Sequence, residues 1–252
     1  MKIRCLFTLT VVVTAYMLSA QCASSQKTEL SAKDRYQLAS KYLEKKEYAK
    51  AIEEFQTLVY NFPGSEWVDD AQYGLAESYF LSGDYVNALF EYERIVNDFS
   101  MSPFAEKAQF KIAMCYFKQS LDASLDQEDT YRALEAFANF LEDYPNSTLA
   151  EEARAKYSAC RAKLAEKAYK NGELYLKMDQ YGAALLYFRE VLDRYGDTPW
   201  VRYAQFGIGR AFLKQGKRDE ARRAFEKVVQ NGTDERLKRK ATQKLKEIEK
   251  GG

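Results

Sequence analysis

The sequence predicts an all-α solenoid of about five helix–turn–helix units, and three observations carry that prediction. A small residue followed one helical turn later by an aromatic recurs five times: Ala51 and Phe55, Ala88 and Tyr92, Ala133 and Phe137, Ala184 and Phe188, Ala221 and Phe225. Such a pair lets a neighbouring helix come close and then holds it with a ring. The five alanines are 37, 45, 51 and 37 residues apart. Twelve residues upstream of four of them lies another small residue (Ala39, Ala76, Gly172, Gly209), with an aromatic three positions further on (Tyr42, Tyr79, Tyr175, Phe212).

Each departure from the period has a location. The third unit has the same upstream pair, Ala113 and Tyr116, but 20 residues before Ala133; the extra 8 residues are the insertion Ser120–Asp129, rich in Asp and Ser. The fourth unit carries an excess of 14 residues between Pro145 and Gly172, where no Gly or Pro interrupts the chain. This predicts one unusually long helix over about Thr148–Met178. The order small residue, Tyr, Ala, Phe and Pro resembles the tetratricopeptide repeat, and the five units span about Ser31–Gln230.

In chain order, residues 1–21 read as a signal peptide. Lys2 and Arg4 precede the apolar run Leu6–Leu18, which is shorter than the ~20 residues that span a bilayer. Cys22, after Ser19-Ala20-Gln21, stands where bacterial lipoprotein signals place the lipidated cysteine; the competing reading is plain secretion with cleavage after Ala20. Residues 22–30 form a polar tether. Residues 31–252 form the repeat domain, with N-terminal repeats over 31–145 and C-terminal repeats plus a cap over 146–252. Ser31 or Asp34 can cap the first helix. Pro63-Gly64-Ser65 and Trp67 open the second unit, Pro103 the third, Ser147-Thr148 the long helix and Thr198-Pro199-Trp200 the fifth unit. After Asn231-Gly232, Leu237, Ala241, Leu245 and Ile248 form an apolar stripe on a final helix.

Composition narrows the function. Lys and Arg number 38 against 37 Asp and Glu, a net charge of +1, so no electrostatic footprint points to nucleic acid. There is no histidine, which removes Ser-His-Asp and Cys-His catalysis and histidine metal sites. No glycine-rich phosphate loop is present, and Gly207 and Gly209 fall inside a repeat helix as packing residues. The pairs Glu53-Glu54, Asp69-Asp70 and Glu151-Glu152 read as solvated helix faces. Cys115 and Cys160 read as buried thiols, with a pairing of the two left open in an oxidising compartment. Asn146-Ser147-Thr148 and Asn231-Gly232-Thr233 match the glycosylation pattern but sit at helix boundaries. Neither an enzyme nor a cofactor is expected.

The remaining function is a surface. Three residues before each first-helix small residue come Tyr36, Tyr73, Phe110, Tyr169 and Phe206; four after come Leu43, Phe80, Phe117, Leu176 and Leu213. Two readings stand side by side: these rows line a groove that binds a peptide through aromatic anchors, or they pack between repeats and meet no ligand.

The arrangement also resembles the BamD family, outer-membrane lipoproteins of the machinery that folds and inserts β-barrel proteins. The carrying residues are Tyr48-Ala49-Lys50-Ala51 with Phe62-Pro63-Gly64-Ser65, Gly83-Asp84-Tyr85 with Ala88, and Asp126-Gln127 with Ala133, Phe137 and Tyr144-Pro145-Asn146-Ser147. They continue with Leu164-Ala165-Glu166, Tyr181-Gly182-Ala183-Ala184, Val191-Leu192 and Tyr195-Gly196-Asp197-Thr198-Pro199. Ser100 and Gly196 stand where the family usually has proline, and Gln21 departs from the small residue usual before the lipidated cysteine.

The resemblance implies a non-catalytic scaffold on the periplasmic face of the outer membrane, anchored through lipid on Cys22. It implies binding of unfolded outer-membrane proteins on the N-terminal repeats, at Tyr36, Leu43, Tyr73, Phe80, Phe110 and Phe117. It implies docking on a BamA-like partner through the C-terminal part, at Tyr181, Trp200, Arg236, Lys238, Arg239 and Lys240, with room for other accessory lipoproteins. The segment Asp234–Lys250 carries seven basic residues against four acidic ones. A repeat adaptor for cell-wall or polysaccharide machinery is the alternative.

Overall fold

A computed structural model describes residues 29–232 and 234–250. The predicted signal peptide, Cys22 and most of the tether lie outside the described residues. Among the described residues eleven α-helices follow one another: α1 (Ala32–Glu44), α2 (Tyr48–Asn61), α3 (Val68–Ser82), α4 (Tyr85–Asp98), α5 (Ala105–Gln119), α6 (Glu128–Asp143), α7 (Ala150–Lys177), α8 (Tyr181–Arg194), α9 (Trp200–Lys214), α10 (Arg218–Asn231) and α11 (Glu235–Lys250). They pair as α1–α2, α3–α4, α5–α6, α7–α8 and α9–α10, with α11 covering the last pair. This is the expected tetratricopeptide-repeat solenoid with a capping helix.

Local chemistry sets the boundaries. Ser31 caps α1, its hydroxyl accepting the Asp34 N–H at 3.2 Å. The turn inside a repeat needs one left-handed residue, which is Gly83 (φ 89°) and Gly216 (φ 76°) in two units but Lys46 (φ 60°) and Asp179 (φ 58°) in two others. At three boundaries between repeats a serine two residues before the incoming helix's first apolar residue accepts that residue's N–H: Ser65 from Trp67, Ser102 from Phe104 and Ser147 from Leu149. The Ser147 turn is why the long helix begins at Ala150 rather than Thr148.

Among the described residues the core is a row of five small cores rather than one. Each centres on a predicted alanine and ring, from Ala51 and Phe55 in the first repeat to Ala221 and Phe225 in the last. All five rings are 0–1% exposed. Glycines supply the closest approaches: a Cβ on Gly207 would meet Phe188 at 2.6 Å, and one on Gly209 would meet Phe225 at 2.6 Å.

The two departures from the period meet each other. The insertion folds into a loop closed by Gln127, which is 6% exposed. Its side-chain amide donates to the carbonyls of Asp122, Leu125 and Asp126 at 2.8, 3.1 and 2.8 Å. From the long helix, Lys167 donates to the carbonyls of Ser124 and Leu125, both at 2.9 Å, and Lys163 to the Ser120 hydroxyl at 2.8 Å. The 14 extra residues of α7 make ~3.9 turns, so the residues beyond them return to nearly the same helix face. Ala153 and Cys160 therefore enter the third core while Leu164, Ala168 and Leu176 enter the fourth.

Candidate peptide-binding surface

The predicted groove residues all lie on the first helices of their repeats, and the structure shows what each ring touches. Tyr36 packs on Trp67 with ring centres 5.0 Å apart, Tyr73 stacks on Phe104 at 4.6 Å, and Tyr169 meets Trp200 at 5.2 Å. Phe110 shares a core with Leu149, and Phe206 one with Leu237. Each ring thus meets the first apolar residue of the next repeat's first helix. Those five partners, Trp67, Phe104, Leu149, Trp200 and Leu237, are spaced 37, 45, 51 and 37 apart, the spacing of the alanines. That second register is present in the sequence but stands out only when it is correlated with the first.

Packing between repeats does not bury every ring. Tyr73, Phe80 and Phe110 converge on one open cavity of about 300 Å³ between α3, α5 and the start of α7. Lys107, Lys111, Met114, Leu149 and Glu152 complete its lining. Phe110 is 4% exposed, so it offers an edge while its body faces Phe137 and Phe140, at 6.0 and 5.5 Å. Phe80 leans on Tyr85 at 5.3 Å, and the Lys111 ammonium sits 4.4 Å from its ring centre. Tyr36 and Leu43 pack against the first core, away from this cavity. Phe117 packs on Phe137 at 6.3 Å, with Lys156 and Lys163 over its ring at 5.2 and 5.9 Å. Lys107 and Lys111 gave no signal in the sequence, since the apolar spacing alone defined the rows.

Beneath the cavity runs a polar network. Glu77 accepts from the Tyr92 hydroxyl and pairs with Lys111 at 2.7 Å. Burial, with the Glu77 charge adding to it, raises the Tyr73 and Tyr92 hydroxyls well above the ordinary phenol range, so both remain protonated donors. Next to it Gln72 donates to the Glu91 carboxylate at 2.6 Å, and Arg94 pairs with Glu91 at 3.2 Å. This network orients helices; it holds no nucleophile and no base poised against one. Among the described residues no group of three or more His, Cys, Asp or Glu is placed to hold a metal ion. Cys115 and Cys160 are free and buried in different cores, so the alternative of a disulfide between them does not occur.

The C-terminal candidates do not form one cluster. Trp200 is half-buried between Tyr169 and Tyr203, at 5.2 and 5.6 Å. Tyr181 donates its hydroxyl to Asp179 at 2.8 Å at the start of α8. Arg236, Arg239 and Lys240 are exposed on α11, while Lys238 is half-buried and pairs with Glu235 at 2.9 Å. Leu237, Ala241 and Ile248 face inward on the same helix, as the capping stripe requires.

A sequence model of the YfiO family, described as outer membrane lipoprotein, matches residues 28–228. The chain belongs to this family. It is 35% identical over 106 residues to the outer membrane protein assembly factor BamD of Caulobacter vibrioides, covering 42% of this chain and 35% of that protein. It is 29% identical over 181 residues to the BamD of Rickettsia prowazekii, covering 72% of each. The match therefore spans about a third of the length of the first relative and nearly three quarters of the second. Among solved structures, the TPR2AB-domain:pHSP90 complex of yeast Sti1 is similar at 14% identity and a TM-score of 0.44, covering 87% of this chain and 83% of that one. YrrB, a TPR protein with an unusual peptide-binding site, is similar at 17% identity and a TM-score of 0.40, covering 86% and 95%. No helix among the described residues is long and apolar enough to cross a membrane.

Proposed function

We propose that this family member is a non-catalytic scaffold of outer-membrane β-barrel assembly. Exposed aromatic-bearing segments of unfolded outer-membrane proteins bind the N-terminal repeats, and the C-terminal repeats with α11 dock on a BamA-like partner. Lipid on Cys22 holds the chain on the periplasmic face of the outer membrane. The observation that carries the reading is the cavity where Tyr73, Phe80 and Phe110 meet beside Lys107 and Lys111. It joins apolar walls to a few fixed polar groups, as peptide anchor pockets do. Membership of the family, and relatives named as outer membrane protein assembly factors, support the same assignment.

The test replaces one apolar and one cationic lining residue, neither of them fully buried. Phe80→Ala and Lys107→Glu, checked for unchanged helicity by circular dichroism, should each weaken binding of a labelled aromatic-rich β-barrel peptide in an anisotropy titration. An anchor in a desolvated pocket contributes ~2 kcal/mol, so Phe80→Ala should cost about 30-fold. Wild-type affinity in both variants would remove the cavity from the reading. For docking, reversing Arg236, Arg239 and Lys240 to Glu should slow association with a BamA-like partner, most visibly at low salt. Mass spectrometry of the mature N-terminus decides the lipid: a diacylated Cys22 supports the anchor, and an unmodified chain beginning at Gln21 ends it.

A further inference from the structure

At the other end of the first-helix face, three helix segments enclose a second cleft of about 430 Å³. Its floor is apolar: Leu176 near the end of α7 and Leu213 near the end of α9. Its rim is cationic. Lys177 and Lys214 follow those leucines directly, Arg210 stands one turn before Lys214, and Lys244 reaches in from α11. Asp179 is the one acidic residue lining it, and its carboxylate accepts from the Tyr181 hydroxyl at 2.8 Å.

The rim charges divide into two kinds. Arg210 is paired with Glu173 at 2.7 Å and Lys244 with Glu247 at 2.7 Å. Lys177 and Lys214 are exposed and make no ion pair among the described residues. Two unpaired ammonium groups thus flank an apolar floor in a protein whose net charge is only +1.

We propose that this cleft binds an extended acidic peptide segment that alternates carboxylate and apolar side chains. Alternation fits because an extended chain sends successive side chains to opposite sides, one set onto Leu176 and Leu213 and the other toward the lysines. A phosphate-dense ligand fits less well. Lys177 and Lys214 end their helices, where the backbone presents carbonyls and a partial negative charge rather than the N–H groups that hold phosphate. Dispersed carboxylates avoid that repulsion and still reach the flexible ammonium groups. The proposal does not depend on the aromatic cavity at Tyr73 or on the identity of any docked partner.

The full chain is titrated with a fluorescein-labelled nonapeptide of alternating Leu and Glu, beside Leu–Lys and Ser–Glu versions of the same length. Binding of the Leu–Glu peptide is expected, weakened by added salt and weakened roughly tenfold by the double variant Lys177→Glu/Lys214→Glu. Both substituted positions are exposed, so the fold is retained; a second variant, Leu213→Ser, should weaken binding without changing its salt dependence. Lys33→Glu, at an exposed position on α1 outside both cavities, should leave the titration unchanged. The proposal is overturned if the Leu–Lys peptide binds equally well, if the double variant binds like the wild type, or if only Lys107→Glu, in the distant cavity, reduces binding.

Discussion

The Phe188 ring occupies the space where a side chain on Gly172 would begin: a Cβ built there would lie 2.5 Å from Phe188 Cε1. Gly207 closes on the same ring from α9, at 2.6 Å. A fully buried aromatic is thus held between two bare backbones of neighbouring repeats. Gly172→Ala should destabilise the protein by ~1–3 kcal/mol through overpacking, read as a lower urea midpoint. Phe188→Leu in that background should return part of the loss, because a smaller side chain vacates the contact. Gly182→Ala, with nothing within 4 Å, should show no such penalty.

Lys46 occupies the left-handed turn position that glycine fills at Gly83 and Gly216. A side chain there costs ~1–2 kcal/mol, offset in part by the lower entropy of a non-glycine residue when unfolded. Lys46→Gly should therefore raise stability by ~0.5–1 kcal/mol, and Gly216→Ala should lower it by a similar amount. Thermal melts of the two variants would move in opposite directions.

Arg161 on α7 donates Nε to both carboxylate oxygens of Asp197, at 3.0 and 2.8 Å, and also reaches the Arg194 carbonyl at 2.7 Å. Hydrogen bonding from Arg161 holds the Asp197 carboxyl below its usual range. A carboxyl depressed by folding adds stability above its unfolded pKa of ~3.9, and that stability is lost as pH falls through the lower folded value. The side chain of Asp197 is 55% exposed, so solvent screening limits the gain to ~1 kcal/mol or less. Asp197→Asn should cost up to ~1 kcal/mol near neutrality, a cost that fades as pH falls below about 4, so the acid limb of the stability–pH curve flattens.

Burial pushes the Cys115 thiol up to about 12 and the Cys160 thiol up to about 11. Neither forms appreciable thiolate near neutral pH, and the thiolate is the reactive form. Iodoacetamide at pH 8 should label both slowly in the native protein and quickly in urea, with the mass increase following unfolding. Fast native labelling of Cys115 would mean that the core around Ala88 and Tyr92 opens on its own.

How far the sequence could be read depended on whether a feature repeats along one helix or between helices. Ala184 and Phe188 lie one turn apart, so helical phase alone placed them on the same buried face, and Gly207 and Gly209 followed as packing residues. The 14-residue excess carried no Gly or Pro, which made α7 legible to within two residues of its ends. Tyr73 was harder. Its position three residues before Ala76 puts it at the margin of the buried face, and whether it meets solvent or a neighbour depends on Phe104, 31 residues away. The Gln72–Glu91 pair was invisible for the same reason: each looks like surface until the two helices meet. Nothing in the sequence distinguishes Lys107 and Lys111, because a lysine on a helix is ordinarily solvated, and only the converging rings give these two a setting.

The long helix makes a mechanical element of what would otherwise be a hinge. In stacked repeats every boundary is a joint, where two short helices slide over one another. Between the third and fourth repeats there is none, because α7, 28 residues long and rising ~42 Å, runs unbroken from one core into the next. The lysines that clamp the insertion loop brace this spar along its side. Elastic bending should therefore concentrate in the joints before and after it. The spar keeps the third core, which Ala153 enters near one end, and the Leu176 cleft near the other at a fixed separation while the ends of the molecule flex.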